Sequence, residues 1–350
     1  TLSLHDALPI YSVESGDRIP WCSNGFYLAQ RPQFTFDPAL HAGAYYVQEP
    51  SSMFLEMLRP VFQSLSPHYV LDLCAAPGGK STHLISLLPL GTRITVNEVV
   101  KPRLSALREN ILKWGVPGIQ VTSREAHQFA SKDFSILSHS SDLFDFILVD
   151  APCSGEGMFR KDPDAISEWS EENVKMCAAR QKKILKEIWG ALSPGGLLAY
   201  STCTFNRYEN DMNVAWMKRE FGASLISLEG FYKSQGLEHV FSDKIRVEWG
   251  IMRSEEGGYQ FFPGIVRGEG LYFALLLKPE SSAESEPSAS NKSLSESEPS
   301  ESQETLAENE PSAFQKFSAS PKASTSKETF CTPGFPHQKG LSKSNGLSGQ

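Results

Sequence analysis

The sequence predicts an α/β fold built on a mostly parallel sheet with helices on both faces. Three observations carry that expectation. Short apolar runs alternate with segments of helical spacing, glycine-rich turns follow several of the runs, and no apolar stretch reaches the roughly 18 residues that a membrane-spanning helix needs.

Taken in order, Tyr69 to Leu73 reads as a short buried strand, followed by a Pro-Gly-Gly turn and an apolar helix at about 79–88. Arg93 to Glu98 is a second strand. The helix expected at about 101–114 places Leu104, Leu107, Ile111 and Trp114 on one face. Ile119 to Ser123 is a third strand and Phe144 to Val149 a fourth. A long helix at about 171–192 leads to a fifth strand, Gly196 to Thr202, and a helix near 207–219 follows. Strands joined through helices pair in parallel by right-handed crossovers. Leu271 to Leu277 is a late apolar strand, expected antiparallel at or near the sheet edge.

Composition bounds the function without choosing it. The chain has 350 residues, 40% of them hydrophobic, which suits one or two globular domains. Its net charge of −8 argues at first against phosphate contacts. Residues 280–350, however, carry ten Glu and six Lys, so half the excess lies in a Ser/Glu-rich tail that is expected to be disordered. Lys101/Arg103, Arg160/Lys161 and Arg180/Lys182/Lys183/Lys186 are basic groupings that can form a positive face. The six cysteines include no CxxC pair, which excludes a disulfide scaffold, argues against zinc or any other metal site, and suits a reduced, cytoplasmic protein.

The opening residues lack an initiator Met and the shape of a signal peptide. Residues 11–53 are loop-rich and aromatic. Residues 1–52 are therefore expected to be a truncated lead-in, 53–279 the folded core and 280–350 the tail.

Three motifs fall at predicted strand ends. The first is Asp72-Leu-Cys-Ala-Ala-Pro-Gly-Gly-Lys80, whose glycines permit a tight turn and close backbone approach to a ligand at a helix start. Glu98 ends the second strand, where a carboxylate can take both ribose hydroxyls of a nucleoside. Glu125, past the third strand, is another acidic strand-end group. The second motif is Asp150-Ala-Pro-Cys153-Ser-Gly-Glu-Gly157 and the third Ser201-Thr-Cys203-Thr. Adjacent parallel strands would bring Asp150, Cys153 and Cys203 to one crevice. Either thiol alone is usually a small buried hydrophobe, but two thiols and a carboxylate converging beside a nucleoside-type loop point to chemistry.

These motifs resemble the Nol/Nop/Sun (Fmu-like) RNA cytosine-C5 methyltransferases, and within them the RsmF-type ribosomal RNA enzymes. The carrying text is Tyr45-Tyr-Val-Gln-Glu-Pro-Ser-Ser-Met53, DLCAAPGGKS at 72–81, Asn97-Glu98, DAPCSGEGMFRKDP at 150–163, STCTFNRYEN at 201–210 and the 262–277 region with Gly268-Glu-Gly270. The resemblance spans roughly 20–278. It implies a Rossmann-like class I methyltransferase fold with a mostly parallel seven-stranded sheet. It also implies S-adenosylmethionine as cofactor, held by Cys74, Ala75, Ala76, Pro77, Gly78, Gly79, Lys80, Glu98, Glu125 and Asp150.

The expected reaction methylates C5 of a cytosine in RNA, foremost 16S ribosomal RNA. Cytosine C5 is too electron-poor to attack a methyl sulfonium, so a thiolate first adds to C6 and makes C5 enamine-like. Asp150 can hydrogen-bond near N3 and support the charge on the ring. Residue chemistry alone leaves either cysteine as nucleophile, since DNA cytosine-C5 methyltransferases use the Pro-Cys thiol. The resemblance assigns addition to Cys203 and product release to Cys153. Arg160 and Lys161 are expected RNA-phosphate contacts. Tyr45, Tyr46, Phe159 and Trp169 are candidate base-stacking aromatics, with none singled out. The chain departs from the family pattern at Glu125, where Asp is commoner, and in its ends, which look too short for the family's flanking RNA-binding parts. Transfer RNA as substrate and a noncatalytic RNA-binding or ribosome-assembly protein are the competing readings.

Overall fold

The computed structural model describes residues 15–28, 33–131, 143–280 and 329–331. All belong to one compact unit; a second unit, 281–326, lies outside the described residues.

The lead-in forms a small antiparallel sheet. Strands β1 (Ser15–Arg18) and β2 (Gly25–Leu28) make a hairpin, followed by the short helix α1 (Pro38–His41) and β3 (Tyr46–Gln48). A 3-10 helix, Ser51–Leu58, is buried along its whole length and runs into α2 (Arg59–Leu65).

The central sheet then begins. β4 (Tyr69–Asp72), α3 (Gly79–Leu87), β5 (Arg93–Asn97), α4 (Lys101–Trp114) and β6 (Gln120–Thr122) lay down strands in one direction, and a single-turn helix α5 (Ala126–Phe129) follows. The chain returns to the other side of β4 with β7 (Phe144–Asp150), then α6 (Pro163–Glu168), α7 (Glu171–Trp189) and β8 (Leu192–Thr202). Helix α8 (Asp211–Phe221), the two-residue β9 (Ser224–Leu225), helices α9 (Leu228–Ser234) and α10 (Asp243–Glu248), and strands β10 (Met252–Arg253), β11 (Tyr259–Phe261) and β12 (Leu271–Leu277) complete the core. β13 (Thr329–Cys331) pairs antiparallel with both β2 and β3.

The sheet has nine strands in the order β10-β11-β12-β8-β7-β4-β5-β6, with β9 added on β12. Strands β8, β7, β4, β5 and β6 are parallel, and β9 to β12 pair antiparallel. The predicted total of seven strands was too low. β9, β10 and β11 are only two or three residues long, too short for a period to show in the sequence. β12 is antiparallel as expected, but β9 and β11 pair with it and move it inward from the edge.

Alternation along each central strand separates two cores. Phe146 and Leu148, Leu197 and Ala199, and Phe273 and Leu275 pack on one face, while Ile147 and Val149, Leu198 and Tyr200, and Tyr272 and Ala274 pack on the other. Each side chain of Leu or Phe size contributes about 2 kcal/mol by burial. Helix α7 is capped by the Ser170 hydroxyl, which accepts from Asn173 N at 3.1 Å, with Glu171 and Glu172 in its first turn. It buries Val174, Cys177, Ala178, Gln181, Leu185 and Ile188 at helical spacing.

Because β5 and β7 flank β4, the chain reverses direction across the sheet at β4 and β7. Open α/β sheets form their crevice at such a switch, beyond the carboxyl ends of the strands. Register aligns those ends: Asp72 lies opposite Val96 and Leu148, and Asp150 opposite Ser201.

Candidate active site

The loop after β4 is held against the sheet by α4. Arg103 Nη2 donates to Ala76 O at 2.5 Å and Asn110 Nδ2 to Pro77 O at 2.8 Å, while Ala75 N reaches Asn97 O at 2.8 Å. Gly78 has φ of 116°, a conformation side chains resist, and it opens α3. At Gly79 an added Cβ would lie 2.8 Å from Tyr46 Cε1, so the Tyr46 ring closes directly over the helix start.

Carboxylates line this loop. Asp72 is fully buried; its Oδ2 accepts from Ser81 Oγ at 2.6 Å, while Oδ1 has no hydrogen-bond partner. Burial pushes its carboxyl up to about 7. Glu98 is buried at the end of β5, with Oε1 accepting from Val100 N at 2.8 Å; Oε2 has no hydrogen bond and only Arg103 Nη1 nearby, at 3.4 Å. Cys74, in the same loop, is half-buried, and burial pushes its thiol up.

Across the switch point, Asp150 ends β7 between two anchors. Lys80 Nζ lies 2.9 Å from Oδ2, and Ser201 Oγ donates to Oδ1 at 2.7 Å. Burial pulls the Lys80 ammonium down, but the Asp150 carboxylate outweighs it and holds the group above its ordinary range.

The two cysteines predicted to converge do so, with Cys153 Sγ 3.2 Å from Cys203 Sγ. Their surroundings differ. Cys203 is lowered, foremost by the hydrogen bond from Cys153, which outweighs burial and Asp150, with Lys80 adding to the fall. Cys153 is raised, foremost by that same hydrogen bond, then by burial and by the charge of Glu209. The surroundings therefore favour the thiolate at Cys203 and the protonated thiol at Cys153.

Two buried carboxylates lock the thiol loops together, and sequence reasoning singled out neither. Glu156 accepts from Phe205 N at 2.6 Å, Asn206 N at 2.9 Å, Thr204 Oγ1 at 2.7 Å and Trp169 Nε1 at 3.1 Å, tying the Cys153 loop to the residues after Cys203. Glu209 accepts from Ser154 N at 3.0 Å, Gln181 Nε2 at 2.6 Å and Asn206 Nδ2 at 2.8 Å. Gly157 N donates to Cys203 O at 2.7 Å, and an added Cβ there would lie 2.4 Å from that oxygen. The available signal was a carboxylate embedded in each cysteine motif.

The 16S rRNA methyltransferase RsmB/F family matches residues 61–277, and the N-terminal domain of 16S rRNA methyltransferase RsmF matches residues 4–50. The chain belongs to the RsmB/F family. Ribosomal RNA small subunit methyltransferase F of Pectobacterium atrosepticum is 35% identical over 267 residues, covering 75% of this chain and 51% of that one. Its counterpart in Cronobacter sakazakii is 34% identical over 280 residues, covering 78% and 54%. The chain thus spans about half the length of the curated relatives it matches. Among solved structures, a methyltransferase homolog from Pyrococcus horikoshii is 27% identical at a TM-score of 0.58, covering 79% of this chain and 83% of that one. NSun6 from the same organism, solved with SFG, is 26% identical at 0.55, covering 71% and 56%. The fold of this RsmB/F family member is the Rossmann-like methyltransferase fold.

The remaining predicted residues are placed less centrally. Glu125 is exposed, and its side chain caps α5 in a reciprocal box with Gln128. Arg160 and Lys161 are exposed beyond the Cys153 loop, Lys161 lying 3.6 Å from Glu269. Tyr45 is a core residue whose hydroxyl donates to Asp37, which removes it from the stacking candidates. Phe159 and Trp169 meet edge to face with centroids 6.5 Å apart.

Proposed function

We propose that this chain transfers a methyl group from S-adenosylmethionine to C5 of a cytosine in 16S ribosomal RNA, in the cytoplasm, through a covalent bond between Cys203 and C6. The observation that carries this reading is the 3.2 Å pair of thiols beside an Asp150 carboxylate held by Lys80. Residues 53–279 are the catalytic core, 1–52 belong to an RNA-binding lead-in, and 280–350 are a tail. Among the described residues no helix is long and apolar enough to cross a membrane.

The residues present fit the cofactor. Among the described residues, Asp72 Oδ1 and Glu98 Oε2 are buried carboxylate oxygens without a hydrogen bond, Arg103 approaching only the latter at 3.4 Å, and the cofactor's amino group and ribose hydroxyls are donors. Cys74 to Lys80 supply a close-approaching backbone, with Glu98, Asp150 and Glu125 along the rim. When bound, S-adenosylmethionine supplies an electrophilic methyl group on a sulfonium.

The chain's own residues prepare cytosine to receive it. The Cys203 thiolate adds to C6, the electron pair of the C5–C6 double bond moves toward C5, and a proton held between Asp150 and N3 offsets the negative charge on the ring. After transfer the C5 proton passes to solvent, its electron pair re-forms the C5–C6 double bond, and the C6–Sγ bond breaks to return the Cys203 thiolate, a release served by Cys153. The target base leaves its stack to reach the thiol, and Arg160 and Lys161 contact the adjoining phosphates.

The test is transfer of labelled methyl to unmodified 30S subunits and total RNA, with sequencing of methylated cytosines. Label in 16S RNA that vanishes in Cys203→Ala, with a trapped protein–RNA adduct in Cys153→Ala, is expected. Label confined to transfer RNA overturns the substrate. No label from folded protein that binds the cofactor overturns the catalytic reading.

A further inference from the structure

A second group of reactive side chains lies outside the crevice. Cys22, in the turn between β1 and β2, meets Glu56 of the buried 3-10 helix and His83 of α3, all three residues being buried. His83 Nε2 lies 3.0 Å from Glu56 Oε2, and Cys22 Sγ lies 4.0 Å from the same oxygen. One ligand atom from each residue lies within 4.8 Å of the other two. The other carboxylate oxygen is occupied: Ser23 Oγ donates to Oε1 at 3.0 Å and Arg59 Nε at 2.9 Å, which fixes the carboxylate and leaves Oε2 facing the thiol and the imidazole.

We propose that Cys22, Glu56 and His83 form a binding site for a divalent zinc-like ion, which fastens the lead-in to the core. The donor set of thiolate, carboxylate and imidazole is one zinc accepts, and its bonds of about 2.0–2.3 Å put tetrahedral ligands about 3.3–3.7 Å apart, within an ångström of the two separations found. Charge also closes. A thiolate and a carboxylate match the charge of the ion, and the Arg59 guanidinium on the far carboxylate oxygen keeps part of its hydration as a partly exposed group. Binding releases the thiol proton and any second proton on the imidazole. The fourth position takes a solvent oxygen, entering beside Ser23, which is exposed.

The spacing explains why sequence reasoning argued against a metal. The ligands come from three separate segments, and no CxxC pair marks them. α3, which carries His83, begins at Gly79 beside the glycine turn, so the ion would link the lead-in to the helix that presents that loop.

The experiment uses the full chain, stripped with a chelator and titrated with Co2+. Wild type is expected to bind one ion per chain, with a thiolate-to-cobalt charge-transfer band, and Zn2+ is expected to displace the cobalt and raise the melting temperature. Cys22→Ser is expected to remove the band and weaken binding more than about tenfold, the scale on which even outer partners of a metal ligand act. His83→Gln is expected to do the same and decides the matter should Cys22→Ser fail to fold. Absence of stoichiometric cobalt binding overturns the site, as does a band that persists in folded Cys22→Ser or His83→Gln protein.

Discussion

Lys80 and Asp150, seventy residues apart in sequence, form an ion pair at 2.9 Å that joins the loop after β4 to the end of β7. The same ammonium lowers Cys203 and is itself held above its ordinary range by Asp150. One lysine therefore fixes the Asp150 carboxylate and favours the thiolate form of Cys203.

Lys80→Met is expected to reduce the methylation rate at neutral pH by roughly ten- to hundredfold and to shift the rising limb of the rate–pH profile to higher pH, since the thiolate loses its neighbouring cation. Single-turnover rates between pH 6 and 9 read this directly. An unshifted limb would remove Lys80 from thiol activation.

Glu156→Gln retains size but offers one acceptor oxygen to donors that now share two. Leaving a buried donor unmatched costs about 1–3 kcal/mol, and here that cost displaces the residues after Cys203. The expected result is a fall in kcat of at least roughly tenfold with unchanged cofactor affinity by calorimetry. Equal loss in both would indicate general unfolding of the site.

Gly157→Ala drives a Cβ to 2.4 Å from Cys203 O, a backbone atom with little room to yield. Overpacking of this kind costs about 1–3 kcal/mol. A melting temperature lowered by several degrees is expected, together with slower adduct formation at Cys203. A wild-type melting temperature would contradict the close approach.

Burial raises the Asp72 carboxyl from its ordinary value of 3.8 to about 7, so its contribution to stability is fully present below pH 3.8 and is lost as pH rises through about 7. The loss amounts to as much as roughly 4 kcal/mol. In cofactor-free protein, Asp72→Asn should therefore gain stability relative to wild type between pH 4 and pH 8. Denaturant midpoints at both ends measure it, and parallel pH curves would refute the raised carboxyl.

The parallel core and the convergence of Asp150, Cys153 and Cys203 were legible because those residues sit in motifs at strand ends. Asp72, Asp150 and Cys203 each close a recognisable apolar run, and parallel pairing brings such ends together. Gly78 and Gly79 likewise announce a turn that side chains would obstruct. Partnerships were not legible. Glu125 has the composition of a ligand contact, and only the fold reveals that its carboxylate also accepts from the start of its own helix. Tyr45 reads as a possible base platform until Asp37 is found beneath its hydroxyl. Glu156 and Glu209 look like ordinary surface acids, and only the folded loops deliver the N–H groups they accept. The Thr329–Cys331 strand is a β-branched and aromatic island in a Ser/Glu-rich tract, and its pairing is decided by β2 and β3, about 300 residues earlier.

β8 carries Thr202 and Cys203 at its end, and along one side its partner is β12, with Tyr272 opposite Thr202 and Leu277 opposite Leu197. During translation β8 therefore leaves the ribosome some seventy residues before the strand that covers it, presenting an unpaired apolar border to the cell. The border of β8 is covered only when residue 277 has emerged, so the Cys203 loop gains its full sheet backing at the end of core synthesis.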